Sequence, residues 1–261
     1  MWENIRVHCP EVAEFYDAWP LADFMKRIAM RRLYDESTGE CCDLTATASL
    51  LKKQSEVSQK YETLMTPEGN GNVLIAGIGF GREVDWLLKK TNLKIHGIDI
   101  SEKLLNKAKE KFDTDSRVCI EKCDILDIPS SLEKFDLVLW MFSGITEFLE
   151  WEENKKQKSL ALKNLAGTLN TDGVLVVETI CQEKDVAVVV NNNICSSVSS
   201  GENPYFFTHW HNGKRLQIER FQNEEQLEQL AEAAGLKRLG DREEYLDDGK
   251  QKRELNLFVR K

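Results

Sequence analysis

Residues 73–83 decide the fold of this chain, and they read Val-Leu-Ile-Ala-Gly-Ile-Gly-Phe-Gly-Arg-Glu. The first four residues are apolar, which predicts a buried β-strand. Gly77, Gly79 and Gly81 then alternate with larger residues, and glycine allows a sharp turn that presents backbone N–H groups without a Cβ. A helical pattern begins at Arg82. We therefore predict a strand, a ligand-binding turn and a helix in direct succession.

The spacing of the glycines separates two kinds of nucleotide-binding loop. The dinucleotide pattern G-x-G-x-x-G, started at Gly77, needs its third glycine at position 82, where Arg82 stands. The pattern that remains is G-x-G-x-G, and Asp99 ends the next apolar strand. Together these features resemble the cofactor loop of class I S-adenosylmethionine-dependent methyltransferases. The resemblance implies that S-adenosylmethionine is the methyl donor and S-adenosylhomocysteine the product.

Strand and helix patterns alternate after a cluster of structure-breaking residues at 67–71. Strands are predicted at 72–76, 94–99, 118–121, 135–140 and 173–179, and helices at 82–90, 102–112 and about 155–169. Such alternation predicts a parallel sheet with right-handed crossovers. A helix at 223–234 precedes two strands at 236–245 and 254–259, which are predicted to form an antiparallel hairpin. The resemblance implies an α/β fold with seven strands, in a mostly parallel, doubly wound sheet that ends in this hairpin.

Two regions lie outside that alternation. Residues 1–66 show apolar residues at helical spacing and are interpreted as an N-terminal helical cap on a core at 67–261. Residues 181–222 follow the fifth strand and include two strand patterns, 205–210 and 215–220, around an Asn-Gly turn. Because ligands bind at the carboxyl edge of such sheets, we interpret this insertion as a lid on the substrate side.

The resemblance also assigns residues to the donor. It implies that the Asp99 carboxylate accepts hydrogen bonds from the ribose hydroxyls, that Asp124 accepts one from the adenine amino group, and that the fourth strand ends beside the methionine part. Simpler interpretations are a helix cap for Asp99, a turn for Asp124 and core packing for the aromatic residues. The donor-binding residues implied in this way are Gly77, Ile78, Gly79, Phe80, Gly81, Asp99, Ile100, Cys123, Asp124, Ile125, Trp140, Met141 and Phe142.

Methyl transfer from a sulfonium requires little acid–base chemistry, because the positive charge already activates the leaving group. Alignment of the nucleophile with the methyl group in a dry pocket supplies most of the catalysis. Candidate proton acceptors are His209 and His211, which share one face of a predicted strand, and Glu147 beyond the fourth strand. The exposed face of a hairpin is the simpler interpretation of the two histidines. Without a third ligand at suitable spacing, they do not suggest a metal site.

The composition limits the partners of this chain. It has 261 residues, of which 41% are hydrophobic and 30% charged, and a formal net charge of −9. The length and apolar content suffice for a sizeable core. The acidic balance opposes binding to phosphate backbones and anionic membranes, so we expect neither nucleic acid nor membrane partners. The expected acceptor is a small molecule or a protein side chain.

Cysteine usage and the first residues indicate the compartment. Seven cysteines form no C-x-x-C pair, which predicts free thiols instead of a disulfide framework or a zinc site. Residues 1–30 carry charges throughout and lack the apolar core of a signal peptide. We therefore expect a cytoplasmic protein.

Two other functions stay open at this stage. A nicotinamide-dependent oxidoreductase also needs a glycine loop and an acid after the second strand, but Arg82 and the terminal hairpin disfavour it. The other is a cofactor-fold protein that binds a partner without catalysis, since the predicted cap carries no recognisable motif.

Overall fold

The computed structural model contains the complete strand–helix alternation that the sequence predicts between residues 72 and 141. It describes residues 17, 35, 38, 40–55, 57–141, 145, 151–180, 190–191, 194–195, 197–199, 206–211, 214–219, 224–247 and 251–261. The predicted N-terminal cap is therefore described mainly by its last part, and the predicted lid by short strands.

Six α-helices are present in the described residues. They are α1 (Cys42–Lys53), α2 (Lys60–Thr63), α3 (Arg82–Lys90), α4 (Glu102–Phe112), α5 (Trp151–Thr168) and α6 (Glu224–Ala233), with a short 3₁₀ turn at Ile125–Asp127. Among these described helices, none combines the length and the apolar character needed to cross a membrane.

The strands of the main sheet begin and end close to the predicted positions. They are β1 (Asn72–Ala76), β2 (Lys94–Asp99), β3 (Val118–Lys122), β4 (Phe135–Trp140), β5 (Leu169–Ile180), β11 (Leu236–Arg238), β12 (Glu243–Asp247) and β13 (Gln251–Arg260). Five short strands lie between β5 and α6: β6 (Val190–Asn191), β7 (Ile194–Cys195), β8 (Ser197–Ser199), β9 (Phe206–His211) and β10 (Lys214–Glu219). Their position in the chain matches the predicted insertion.

The main sheet has eight strands in the order β11-β13-β5-β4-β1-β2-β3, with β12 also paired to β13. Neighbours from β3 to β5 are parallel, whereas β13 runs antiparallel to β5, β11 and β12. Ala76 pairs with Ile98, and Ile75 pairs with Leu139, so β1, β2 and β4 end at the same edge. This arrangement confirms the predicted α/β class and its reversed strand.

The predicted number of seven strands is wrong by one, because the stretch 236–245 forms two strands instead of one. Gly240, with φ of +66°, lies between β11 and β12 and interrupts the extended backbone. β11 pairs with the end of β13, Leu236 opposite Arg260, while β12 pairs with its beginning, Tyr245 opposite Arg253. β13 therefore pairs with both β11 and β12, each along a different part of its length.

The insertion contains the predicted hairpin. β9 and β10 pair antiparallel, with Trp210 opposite Arg215, and β8 adds to the other side of β9. β6 and β7 form a separate two-stranded sheet. Whether this region acts as a lid stays a prediction.

Each face of the sheet buries its own apolar cluster, because successive strand residues point to opposite sides. Val73 and Ile75 pack with residues of α1, α3 and α4, whereas Leu74 and Ala76 pack with residues of α5 and α6. Leu44 in α1 belongs to the first cluster and is fully buried. The described part of the predicted cap thus shares its core with the sheet.

Asp136 joins α2 to the edge of the sheet where β1 and β4 begin. Its Oδ1 accepts hydrogen bonds from Lys60 Nζ at 2.5 Å and Asn170 Nδ2 at 2.8 Å, and its Oδ2 accepts one from the Asn72 N–H at 2.8 Å. These bonds hold the pKa of Asp136 below its ordinary value, against the effect of its burial. A single carboxylate therefore connects a helix with the beginnings of β1 and β5.

Replacement of Asp136 by Asn is expected to lower the free energy of unfolding by about 1–3 kcal/mol, because the amide cannot accept all three bonds and loses the ion pair with Lys60. Urea unfolding measures this change. An unaltered midpoint and slope would show that the contacts add nothing to stability.

Candidate functional site

The turn between β1 and α3 has the backbone conformation that its glycines predict. Gly77, Gly79 and Gly81 have φ angles of +77°, +57° and +86°, in the left-handed region. The N–H groups of Gly77 and Ile78 donate to the Ile98 carbonyl at 2.8 and 3.0 Å, which fixes the turn to β2. A Cβ at Gly77 or Gly79 would meet no atom within 4 Å. Bare backbone therefore borders open space at these two positions.

The side chains of Ile78 and Phe80, which stand between the glycines, pack against the apolar cluster on the α1 side of the sheet. Ile78 is 1% exposed and belongs to the apolar cluster on the α1 side. Its Cδ1 occupies the space that a Cβ on Gly97 would need, at a distance of only 2.0 Å. Phe80 is half-buried against the same cluster. A ligand at the turn would therefore meet mainly backbone.

Asp99 ends β2 directly beside this turn. Its Oδ2 accepts a hydrogen bond from the Gly79 N–H at 2.8 Å, and its Oδ1 accepts one from the Ser101 N–H at 2.8 Å. Burial raises the pKa of Asp99, although these backbone bonds act in the opposite direction. A carboxylate has about four acceptor positions, so the bonds to backbone N–H groups leave capacity for a further donor. Asp99 is thus an oriented acceptor for hydroxyl groups next to the bare backbone.

Asp17, in the N-terminal part of the chain, contacts residues that follow Asp99. Its Oδ1 accepts hydrogen bonds from Ser101 Oγ at 2.5 Å and from the Lys103 N–H at 3.2 Å, at the beginning of α4. Lys103 Nζ donates to the Asp17 carbonyl at 2.9 Å. Sequence reasoning missed this residue, because these partners are more than 80 positions away in the chain.

Three more of the predicted donor-binding residues, Cys123, Asp124 and Ile125, follow β3, and the first of them is bonded to Asp99. The Cys123 N–H donates to the Asp99 carbonyl at 3.0 Å. Asp124 Oδ1 accepts from the Leu126 N–H at 2.8 Å and caps the 3₁₀ turn that contains Ile125. Burial, with nearby carboxylates, raises the pKa of the Cys123 thiol to about 11, so it stays protonated at neutral pH. Cys123, Asp124 and Ile125 are each half-buried.

The end of β4 contributes buried side chains. Trp140 is 3% exposed in the cluster on the α5 side, and Met141 is 4% exposed in the cluster on the α1 side. Both side chains are packed in the core, and their role in donor binding stays a prediction. Phe142 and Glu147 lie outside the described residues.

The two histidines lie on one strand of the insertion. His209 and His211 belong to β9, where they pair with Leu216 and Lys214 of β10. Their spacing of two residues puts them on the same face of the strand. Their catalytic role stays a prediction.

A cluster of buried charges follows the glycine turn, and we call Cys41, Asp43, Arg82 and Glu83 the Arg82 cluster. Arg82 Nη2 lies 2.6 Å from Asp43 Oδ2 and 2.7 Å from Glu83 Oε1. Arg82 Nη1 donates to Cys41 Sγ at 3.3 Å, and the Cys41 thiol donates to Asp43 Oδ1 at 3.0 Å. No side chain of the cluster is more than 4% exposed. The sequence pattern showed Arg82 only as the residue that replaces a glycine.

A second buried pair lies on the same side of the sheet. Glu178 of β5 and Arg253 of β13 are fully buried and form an ion pair. Tyr245 of β12 lies close by, and burial, together with Glu178 and Asp43, raises the pKa of its hydroxyl far above the ordinary value. The α1 side of the sheet therefore contains several ionisable groups away from water.

The chain is similar in sequence to known methyltransferases. The family model described as "Methyltransferase domain" matches residues 73–173. The methyltransferase GfsG of Streptomyces halstedii is 25% identical over 141 residues, which are 53% of this chain and 49% of the relative. The chain therefore matches about half the length of this curated relative.

Solved structures share the fold at low sequence identity. One is the 1,6-didemethyltoxoflavin-N1-methyltransferase of Burkholderia thailandensis with bound 1,6-didemethyltoxoflavin and S-adenosylhomocysteine, with a TM-score of 0.56, 14% identity, and coverage of 98% of this chain and 92% of that chain. Another is CalS10 of Micromonospora echinaspora, an amino pentose methyltransferase with bound S-adenosylmethionine, with a TM-score of 0.57, 12% identity, and coverage of 91% and 97%. At these identities the likeness concerns the fold.

The buried position of Glu83 predicts a pH-dependent stability. Burial raises the pKa of Glu83 from 4.5 to about 7, and Asp43 adds to this effect while Arg82 opposes it. Between these values the folded state binds the proton more strongly than the unfolded state. The free energy of unfolding should therefore fall as the pH rises from 4.5 to about 7, by at most about 1.4 kcal/mol per pH unit from this group.

Urea unfolding of the wild type and of Glu83→Gln at several pH values isolates this contribution, because the other titrating groups are common to both proteins. Between pH 4.5 and about 7, the free energy of unfolding of the wild type should fall relative to that of Glu83→Gln. If the two free energies instead change with pH in parallel, Glu83 has the same pKa in the folded and the unfolded state.

Proposed function

We propose that residues 73–173 form a methyltransferase domain of the class I S-adenosylmethionine-dependent superfamily, and that the chain transfers a methyl group from S-adenosylmethionine to a nitrogen or oxygen atom of a small molecule. The bond between the methyl carbon and sulfur breaks as the new bond to nitrogen or oxygen forms. The acceptor loses a proton, and S-adenosylhomocysteine is the second product. The observation that carries this proposal is the joint geometry of the glycine turn and Asp99.

The glycine turn fits the donor, because Gly77 and Gly79 leave space that any side chain would fill. Asp99 supports the ribose part, since its two oxygens are oriented by Gly79 and Ser101 and retain acceptor capacity. The donor supplies an activated methyl group on a positively charged sulfur. The protein binds and orients both reactants, and excludes water.

The residues after β2 and β3 suit the adenine part. Ile100 and Ile125 are half-buried apolar residues that offer contact to a flat ring. Asp124 lies between Cys123 and Ile125, and its Oδ1 already accepts the Leu126 N–H. We assign the adenine amino group to the carboxylate of Asp124. The edge of β4, from Trp140 to Phe142, is assigned to the methionine part.

Proton removal from the acceptor is assigned to His209, His211 or Glu147. An amine or hydroxyl acceptor has to lose one proton during the reaction, and an imidazole near neutrality can accept it. The two histidines belong to the insertion that follows β5, the side of the sheet on which substrates bind in such folds. These assignments rest on position in the chain.

A small-molecule acceptor is supported by the relatives and by the charge of the chain. Two structural relatives are an amino pentose methyltransferase and a 1,6-didemethyltoxoflavin-N1-methyltransferase, as their names state. The net charge of −9 opposes contact with nucleic acid. A protein side chain is the alternative acceptor. A nicotinamide-dependent oxidoreductase is disfavoured by Arg82 and by the reversed β13.

Incubation with a methyl-labelled donor and a cell extract tests the activity. We expect label in the small-molecule fraction after separation from protein. Label in the protein fraction alone would favour a side-chain acceptor. Tight donor binding without transfer to either fraction would favour a non-catalytic cofactor-fold protein.

Replacement of Asp99 by Ala should weaken binding of S-adenosylhomocysteine by about tenfold or more, which corresponds to about 1.5–3 kcal/mol for lost charge-assisted hydrogen bonds. Isothermal titration calorimetry measures the affinity. Asp115→Ala is the matched control, because the side chain of Asp115 bonds only to Arg117 among the contacts of the described residues. Equal affinity of the Asp99 variant and the wild type would remove Asp99 from the donor site. Binding of NAD in place of S-adenosylhomocysteine would contradict the proposed function.

A further inference from the structure

Arg82 occupies an unfavourable position for a cation. It is the first residue of α3 and only 4% exposed, and the amino end of a helix carries a partial positive charge. A buried guanidinium there requires nearby anions, because its own desolvation is costly. Glu83 supplies one from the same helix, and Asp43 supplies the other from α1.

Asp43 is itself firmly held. Its Oδ1 accepts the Leu44 N–H at 2.9 Å and the Cys41 thiol at 3.0 Å, and its side chain is fully buried. The remaining oxygen, Oδ2, is the one that faces Arg82. A fixed carboxylate at the beginning of α1 therefore defines the position of Arg82.

Arg82 is covalently joined to the last glycine of the turn. Gly81 has a φ of +86°, and its N–H donates to the Ile78 carbonyl at 3.0 Å. Three glycines at positive φ give this turn more conformational freedom than other residues would. The bonds of Gly77 and Ile78 to the Ile98 carbonyl, and of Gly79 to Asp99, hold the first part of the turn to β2. Arg82 fixes the other end, where Gly81 leads into α3.

We propose that Arg82 and Asp43 are positioning residues, which hold the glycine turn in the orientation that binds the methyl donor by joining α3 to α1. This inference rests on the proposed function, since the turn is taken as the donor site. It assigns to α1 a role in donor binding, although no residue of α1 needs to contact the donor. When the contact between Arg82 and Asp43 is broken, the end of the turn at Gly81 can change its orientation.

The pair formed by Lys60 and Asp136 provides a matched control. It also joins an N-terminal helix to the sheet through a carboxylate, with a distance of 2.5 Å between Nζ and Oδ1. It lies at the edge where β1 and β4 begin, which is opposite to the glycine turn. Loss of this pair should reduce stability without reorienting the turn.

The experiment compares Asp43→Asn with Asp136→Asn, each by thermal unfolding and by calorimetric titration with S-adenosylhomocysteine well below the unfolding temperature. Both variants should be less stable than the wild type. Only Asp43→Asn should lose affinity, on the order of tenfold, because a disordered turn has to be fixed again on binding. Equal affinities of Asp43→Asn and the wild type would overturn the proposal.

The double variant Arg82→Met with Asp43→Asn separates positioning from stability. Removal of both charges leaves no unpaired guanidinium, and Glu83, which then loses its partner Arg82, can take up a proton below pH 7 because burial already raises its pKa to about 7. Below that pH, stability should therefore recover toward that of the wild type. The affinity should stay low, because the turn still lacks its anchor. Recovery of both properties together would show that the pair acts only on stability and would overturn the proposal.

Hydrogen exchange of the variants gives a direct measure of the turn. The amides of residues 77–81 should exchange faster in Asp43→Asn than in the wild type, and at the wild-type rate in Asp136→Asn. Unchanged exchange at these amides in Asp43→Asn would contradict the inference. If the wild type itself does not bind S-adenosylhomocysteine, the proposed function fails and the positioning role fails with it.

Discussion

The hydrogen bond from the Gly79 N–H to Asp99 Oδ2 connects the two strand ends on which the candidate site depends. It is possible only because β1 and β2 pair in parallel with a register that makes Ala76 and Ile98 neighbours. Each parallel strand ends at the same edge, so a turn after one strand lies beside the residue that ends the next. The bond orients the carboxylate and, at the same time, uses one of the amides that the glycines expose.

Charge burial around this edge follows a consistent physical pattern. An isolated guanidinium away from water is strongly unfavourable, and a carboxylate within about 3 Å makes its burial tolerable. Arg82 meets this condition with Asp43 and Glu83, and Arg253 meets it with Glu178. These ion pairs connect α1 with α3, and β5 with β13. Desolvation of both charges offsets much of the attraction in such a pair, whereas loss of one partner leaves an uncompensated buried charge, so each partner requires the other segment to be in place.

Local patterns predicted the parts of the fold that depend on local physics. The apolar runs before Gly77 and up to Asp99 gave the observed bounds of β1 and β2, because glycine and a capping serine mark the ends of these strands. The break at Gly240 was missed, since a single glycine within a predicted strand does not show whether the strand continues. The Arg82 cluster was missed for another reason. Its anions lie next to Arg82 and in α1, and no spacing rule connects positions 43 and 82.

Strongly shifted pKa values often identify catalytic groups, but the shifts of Glu83, Cys123 and Tyr245 have another origin. Burial is the largest cause for Glu83, Cys123 and Tyr245 alike. A reaction that needs a general base of high efficiency would place such a group in contact with water and substrate, whereas Glu83 is engaged with Arg82 inside the core. Methyl transfer from a sulfonium depends mainly on alignment, and the proposed donor site, with space at Gly77 and Gly79 beside one oriented carboxylate, matches that requirement. In our proposal the acceptor is bound by segments outside the main sheet, because a fold by itself does not determine a substrate.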